Sequence, residues 1–144
     1  MYSSALASPF GRPMAQAQAY HLTSVQTGVS AASPHHLIAM LFDGYMDALS
    51  QARGAMRAGQ VELKCRALSR AVRIVDEGLK SALDMTGGGT LAADLSALYA
   101  YVTMRLTQAN LHNDEARIEE CRRLMQPLRD AWTSIAPEVA NQAY

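Results

Sequence analysis

Apolar residues recur at helical steps along most of the chain, and the pattern first becomes continuous at Ser33. Pro34 has a fixed φ and no N–H, which suits a first helical residue, and the Ser33 hydroxyl can accept an early backbone N–H. Leu37, Leu41, Ala48 and Ala52 follow at steps of four and seven, flanked by Ile38, Tyr45, Leu49 and Met56, and predict a helix over 34–58. Gly59 supplies the left-handed residue that closes it. Val61, Cys65, Leu68, Val72, Val75, Leu79 and Leu83 predict a second helix, stopped by Gly87-Gly88-Gly89. No strand precedes these glycines and no Gly-Lys-Ser/Thr follows them, so they read as a turn and not as a phosphate loop.

Thr90 is the expected cap of a third helix, whose main stripe is Leu91, Leu95, Leu98, Tyr99, Val102, Leu106 and Ala109. His112-Asn113-Asp114 ends it. Asp114 and Glu115 favour the positive start of a fourth helix carrying Ile118, Cys121, Leu124, Met125, Leu128, Trp132 and Ile135, with Pro137 as its stop. Pro127 inside that helix predicts a kink near Arg123. Four helices with short connections predict an all-α, antiparallel up-down-up-down four-helix bundle over 33–137. Before it, residues 1–19 lack a sustained apolar period and read as a disordered extension. Residues 20–32 carry Leu22, Val25, Val29 and Ala32 at helical steps, a short amphipathic arm too weak to stand alone, and 138–144 form a tail.

The middle helices carry more apolar surface than a bundle needs. On the second, Leu63, Ala67, Ala71, Ile74 and Gly78 form a line displaced from the main stripe; on the third, Ala93, Ala97, Ala100, Tyr101, Met104 and Leu111 do the same. The chain's own arm, another subunit or a foreign chain must cover such faces. Their small residues would admit another backbone closely, which suits a groove for an amphipathic helix. Two alternatives stand beside this: a wider core reached through helix tilt, and a permanent homodimer closed through the second faces.

Composition narrows the function. A chain of 144 residues suits one domain, and 49% hydrophobic with only 6% aromatic residues favours helices. Formal net charge is +0 and no Lys/Arg cluster occurs, which argues against nucleic acid as a partner. The 2 cysteines, Cys65 and Cys121, fall within apolar stripes and read as reduced thiols. No basic segment leads into an apolar run, and no stretch reaches the roughly 20 residues that a membrane span needs, so neither export nor membrane insertion is expected and the expected location is the cytoplasm. Glu-x-x-His is absent, the adjacent His35 and His36 cannot both turn inward, and no nucleophile, base and acid fall at useful spacings. The expectation is a non-enzyme without cofactor or metal.

Ala32-Ser33-Pro34-His35-His36-Leu37-Ile38-Ala39-Met40-Leu41-Phe42-Asp43-Gly44 resembles the signature of the flagellar secretion chaperone family, FliS. Leu83-Asp84-Met85, Leu95-Ser96-Ala97-Leu98-Tyr99-Ala100-Tyr101 with Arg105-Leu106, Ala109-Asn110-Leu111 with Asn113-Asp114, and Ala131-Trp132 with Ile135 follow as family landmarks in the same order. The resemblance implies a chaperone that binds the C-terminal segment of flagellin, keeps it unpolymerised and assists its export by the flagellar type III system. It also implies that this segment, disordered when free, wraps the bundle in hydrophobic clefts, and that an arm bearing Tyr20 can cover part of them. A flagellar export-gate protein or a co-chaperone is a further implied partner, and the free chain is expected to be a monomer or weak dimer. The candidate partner-binding residues are Tyr20, Leu22, Val25, Leu63, Ala67, Ala71, Ile74, Gly78, Ala93, Ala97, Tyr101 and Met104.

Overall fold

Ser33 caps the first helix as expected, its hydroxyl accepting the backbone N–H of His36 at 3.1 Å. The computed structural model describes residues 33–135, so the extension, the arm with Tyr20, Leu22 and Val25, and the tail lie outside the described residues. Helix α1 (Pro34–Arg57) ends before Gly59, whose φ of 71° is the left-handed closure that a glycine permits. Helix α2 (Val61–Arg73) runs on into a π-helical segment (Ile74–Lys80) that the apolar spacing does not announce. Helix α3 (Gly89–His112) and helix α4 (Glu115–Ser134) complete the described chain, and α4 continues through Pro127.

The turns between helices are held by side chains. Asp84 Oδ1 accepts the N–H groups of Thr86 at 3.1 Å and Gly87 at 2.8 Å, and the helix that follows starts at Gly89. Thr90 therefore falls inside the first turn and not at the cap position, which Gly88 occupies without a side-chain bond; the expected threonine cap is corrected. Asn113 turns left-handed at φ 54°, and Asp114 then caps α4 by accepting the Ala116 N–H at 3.0 Å.

Each helix packs against two others, α1 and α3 both against α2 and α4, which leaves the pairs α1/α3 and α2/α4 as diagonals. Start meets end at every side. Trp132 near the end of α4 donates to the His35 carbonyl at 3.0 Å, while Arg57 at the end of α1 bonds Glu115 at the start of α4. Lys64 near the start of α2 reaches Asn110 near the end of α3. The four helices form an all-α antiparallel bundle, as the sequence predicts.

Tyr45 lies at the centre, fully buried, and its hydroxyl donates to the Cys121 carbonyl at 3.0 Å. Phe42, Leu49, Leu68, Val75, Val102, Leu106, Ile118 and Met125 surround it in one core. Burial raises the phenol's pKa far above its usual range and pushes the Cys121 thiol up to about 12, so Cys121 packs as a small apolar residue. Cys65 is half-buried and also a free thiol. Lys64, the one buried charge among the described residues, donates to the Asn110 carbonyl at 3.1 Å and to Asn113 Oδ1 at 3.2 Å, at the end of α3 where the helix dipole favours a cation.

The second apolar line of α2 is largely consumed by α1. Ala67 and Ala71 are buried, and Ile74 packs half-buried against the core. Gly44, Ala48, Ala52 and Ala55 repeat along one line of α1, so small residues meet small residues and the two backbones approach closely. A Cβ at Gly78 would lie 2.9 Å from Leu41 Cδ1, and one at Gly44 would lie 3.4 Å from Ile74 Cδ1. In this structure Ala67 and Ala71 thus lie in the α1–α2 seam, as the wider-core alternative has it, and not in an open groove. Ile74 and Gly78 belong to the same closed seam.

Between α1 and α4 the charges pair. Arg129 bonds Asp43 at 2.7 Å, and Glu119 accepts from Arg122 with Arg53 at 3.5 Å and Arg123 at 3.6 Å. Hydrogen bonding from Arg122, then the field of the three arginines, holds the Glu119 carboxyl down at about 2.

Two outcomes follow from this packing. Ala71→Leu has no space to enter and should lower unfolding free energy by about 1–3 kcal/mol, read by urea denaturation. The folded pKa of Glu119 is depressed from 4.5, so its contribution is present above about pH 4.5 and fades as pH falls towards 2. In Glu119→Gln the loss of stability across that window should be smaller than in the wild type, measured by denaturation at stepped pH.

Candidate partner-binding surface

Helix α3 is apolar on both sides. Ala92, Tyr99, Val102, Leu106 and Ala109 are buried, and Ala92 takes the inward place expected of Leu91, which is exposed. At about 100° per residue, Ala93, Ala97, Ala100, Met104 and Leu111 fall within about 60° of one another on the opposite side. Met104 is 48% and Leu111 77% exposed, and Ala93, Ala97 and Ala100 are exposed as well. No described element covers this line.

Each edge of the face has its own chemistry. Towards α4, the Tyr101 hydroxyl donates to Glu120 Oε2 at 2.6 Å, and Arg105 Nε donates to Glu120 Oε1 at 2.7 Å. The two bonds, Tyr101's first, lower the Glu120 pKa below the usual carboxylate range. They also fix the Tyr101 ring as a wall, with the Arg105 guanidinium 5.9 Å from its centroid. Towards α2 lies a groove of about 370 Å³ lined by Val72, Asp76, Thr103, Met104, Thr107 and Gln108. Thr103 and Thr107 donate their hydroxyls back to the Ala100 and Thr103 carbonyls at 3.0 and 2.9 Å. Their polar ends are thereby satisfied within the helix.

Of the residues singled out in the sequence, the structure brings Ala93, Ala97, Tyr101 and Met104 together on this side of α3. Leu63 is exposed near the start of α2, on the line that faces α1 further along, apart from the others. Ala67, Ala71, Ile74 and Gly78 are in the seam. The sequence reading missed Asp76, Thr103, Thr107 and Gln108 as groove residues, and took Val72 for core alone. An apolar pattern could not reveal Thr103, Thr107 and Gln108 because they are polar, and Asp76 lies in the π segment, where uniform helical register breaks after Arg73.

A second hollow of about 690 Å³ lies between α1 and α4, lined mainly by charged groups including Asp43, Asp47, Arg53, Arg122 and Arg129. His35 turns inward and stacks on Trp132 at 4.5 Å, while His36 stays exposed. No group of three or more His, Cys, Asp or Glu among the described residues could hold a metal, and no described helix is long and apolar enough to cross a membrane. Covering the apolar line of α3 would withdraw it from water, which is favourable.

The profile of the family described as Flagellar protein FliS matches residues 16–139. The chain belongs to the FliS family. It is 47% identical over 125 residues to the flagellar secretion chaperone FliS of Salmonella typhimurium, covering 87% of this chain and 93% of that one. To the Escherichia coli protein of the same name it is 41% identical over 115 residues, 80% of this chain and 85% of that one. The Bacillus subtilis protein is 33% identical over 109 residues, 74% and 78% of the two chains. FliS-family chains are thus similar to this one across the whole bundle, and the landmarks Ser33 to Gly44 and Leu98 to Tyr101 fall within the matched region.

An exposed line with no partner among the described residues should tolerate polarity. Met104→Asp is expected to change unfolding free energy by no more than about 1 kcal/mol in urea denaturation, against the larger loss from overpacking Ala71.

Proposed function

We propose that the chain is a cytoplasmic chaperone that binds the C-terminal segment of flagellin, keeps it from polymerising and assists its export by the flagellar type III secretion system. The open apolar line of α3 supports this reading: in a family of flagellar secretion chaperones, it is a surface that no described element covers. An amphipathic segment laid along Ala93, Ala97 and Ala100 can bring its backbone close, because nothing larger than a methyl stands between. Met104 can repack around whatever side chain meets it. The bound segment gains burial but loses its conformational freedom, which leaves a complex that holds in solution and can still be released.

Tyr20, Leu22 and Val25 are proposed as further residues that contact the partner. On this reading the work is binding without turnover. A flagellar export-gate protein or a co-chaperone would engage another part of the bundle.

Titration calorimetry with a flagellin C-terminal peptide tests the reading. One peptide should bind per chain, and Met104→Asp or Ala97→Asp should weaken it by about tenfold or more. Unchanged binding by both variants would remove the α3 face from the mechanism. If a second copy of the chain covered the face instead, light scattering would show a dimer that persists on dilution.

A further inference from the structure

Glu120 belongs to α4, yet each of its carboxylate oxygens is taken by a side chain of α3: Oε2 accepts from the Tyr101 hydroxyl at 2.6 Å and Oε1 from Arg105 Nε at 2.7 Å. Closing the seam between the two helices does not require the first of these bonds. Val102, Leu106, Ile118 and Cys121 join α3 to α4 in the core, and the Arg105–Glu120 ion pair spans them outside it. The tyrosine bond acts on a ring. Tyr101 is 38% exposed beside the apolar line, about one turn from both Ala97 and Met104, where a side chain without a polar anchor would turn between rotamers. A phenol that donates to an ionised carboxylate makes a short, charge-assisted bond, stronger than one between neutral groups. Arg105 completes the frame: its Nη1 donates to Gln108 Oε1 at 2.9 Å, and its guanidinium lies 5.9 Å from the Tyr101 ring centroid. Tyr101, Arg105 and Gln108 are thus tied into one row along α3.

We infer that Glu120 is a positioning residue of the docking surface: from α4 it holds the Tyr101 ring in the orientation against which an apolar side chain of the seated segment packs. This rests on the proposed binding of flagellin to the α3 face and adds how that face is kept ready. Ordering a side chain at an interface opposes binding, and a ring already fixed before the partner arrives adds no such opposition. The rest of the face needs no comparable device. Ala93, Ala97 and Ala100 have no rotamers to lose, and Met104 works by adapting to what it meets. Tyr101 is the one residue of the line whose use depends on its direction, and it is the one whose side chain is tied to a neighbouring helix.

The test uses the full chain, titration calorimetry with a flagellin C-terminal peptide, and urea denaturation of each variant. Tyr101→Phe, which keeps the ring and drops the bond, and Glu120→Ala should each weaken binding by about two- to tenfold. Glu120→Gln retains an oxygen for the Tyr101 hydroxyl and should weaken it less. In a Tyr101→Ala chain no ring remains to be held, so adding Glu120→Ala should cause no further loss of binding; a lower unfolding midpoint in both backgrounds reports only the lost Arg105 bond. An equal loss of binding from Glu120→Ala with and without the ring would overturn the inference, since Glu120 would then act on the peptide directly or through the fold. Normal binding by Tyr101→Phe and Glu120→Ala, with binding weakened by Met104→Asp, would also overturn it and leave the α3 surface standing. If Met104→Asp binds normally as well, the docking surface itself is wrong.

Discussion

The close approach of α1 and α2 is the constraint on which the rest of the bundle depends. Gly44, Ala48, Ala52 and Ala55 face a helix that contributes Ala67, Ala71 and Gly78, so the two backbones meet without large side chains between them. That closeness draws the second apolar line of α2 into the interior and seats Tyr45 deep enough to bond the Cys121 carbonyl across to α4. Small residues on α2 are thus spent inside the molecule. Those on α3, chemically alike, have no α1 to meet, because α1 and α3 are diagonal in the bundle.

Much of this was legible in the sequence. The Ser33 cap, the closures at Gly59 and Asn113, and the order of four antiparallel helices all follow from local chemistry, and the structure reproduces them. The split between the two middle helices was not legible. Ala67-Ala71 and Ala93-Ala97 look the same on a helical wheel, and only the neighbour relations of the bundle decide which pair is buried. Thr90 was misassigned for a related reason: the glycine turn, tied by Asp84, lets the helix start at Gly89, ahead of the residue best suited to cap it. The π segment was invisible because Val75 and Leu79 keep an apolar spacing that an unbroken α-helix would also satisfy.

The proposed function rests on what the described fold leaves uncovered. The charged side of the bundle satisfies itself through Asp43, Arg129 and the arginines around Glu119, whereas the outer side of α3 exposes methyl and thioether groups to water. Tyr101, tied to Glu120, and the groove bearing Asp76 mark the two edges of that side. A surface of this kind costs solubility unless something covers it, and the proposed function, that of a chaperone in the FliS family, would have a flagellar cargo cover it.

The central claim is that cargo meets α3 and leaves the α1–α2 seam closed. Methyl NMR of the full chain, labelled at alanine and methionine, would follow both regions as a flagellin C-terminal peptide is added. The account predicts that the methyl signals of Ala93, Ala97, Ala100 and Met104 shift while those of Ala67 and Ala71 stay in place. Large shifts at Ala67 and Ala71 with the α3 methyls unmoved would contradict it, and would mean that the seam opens to receive cargo.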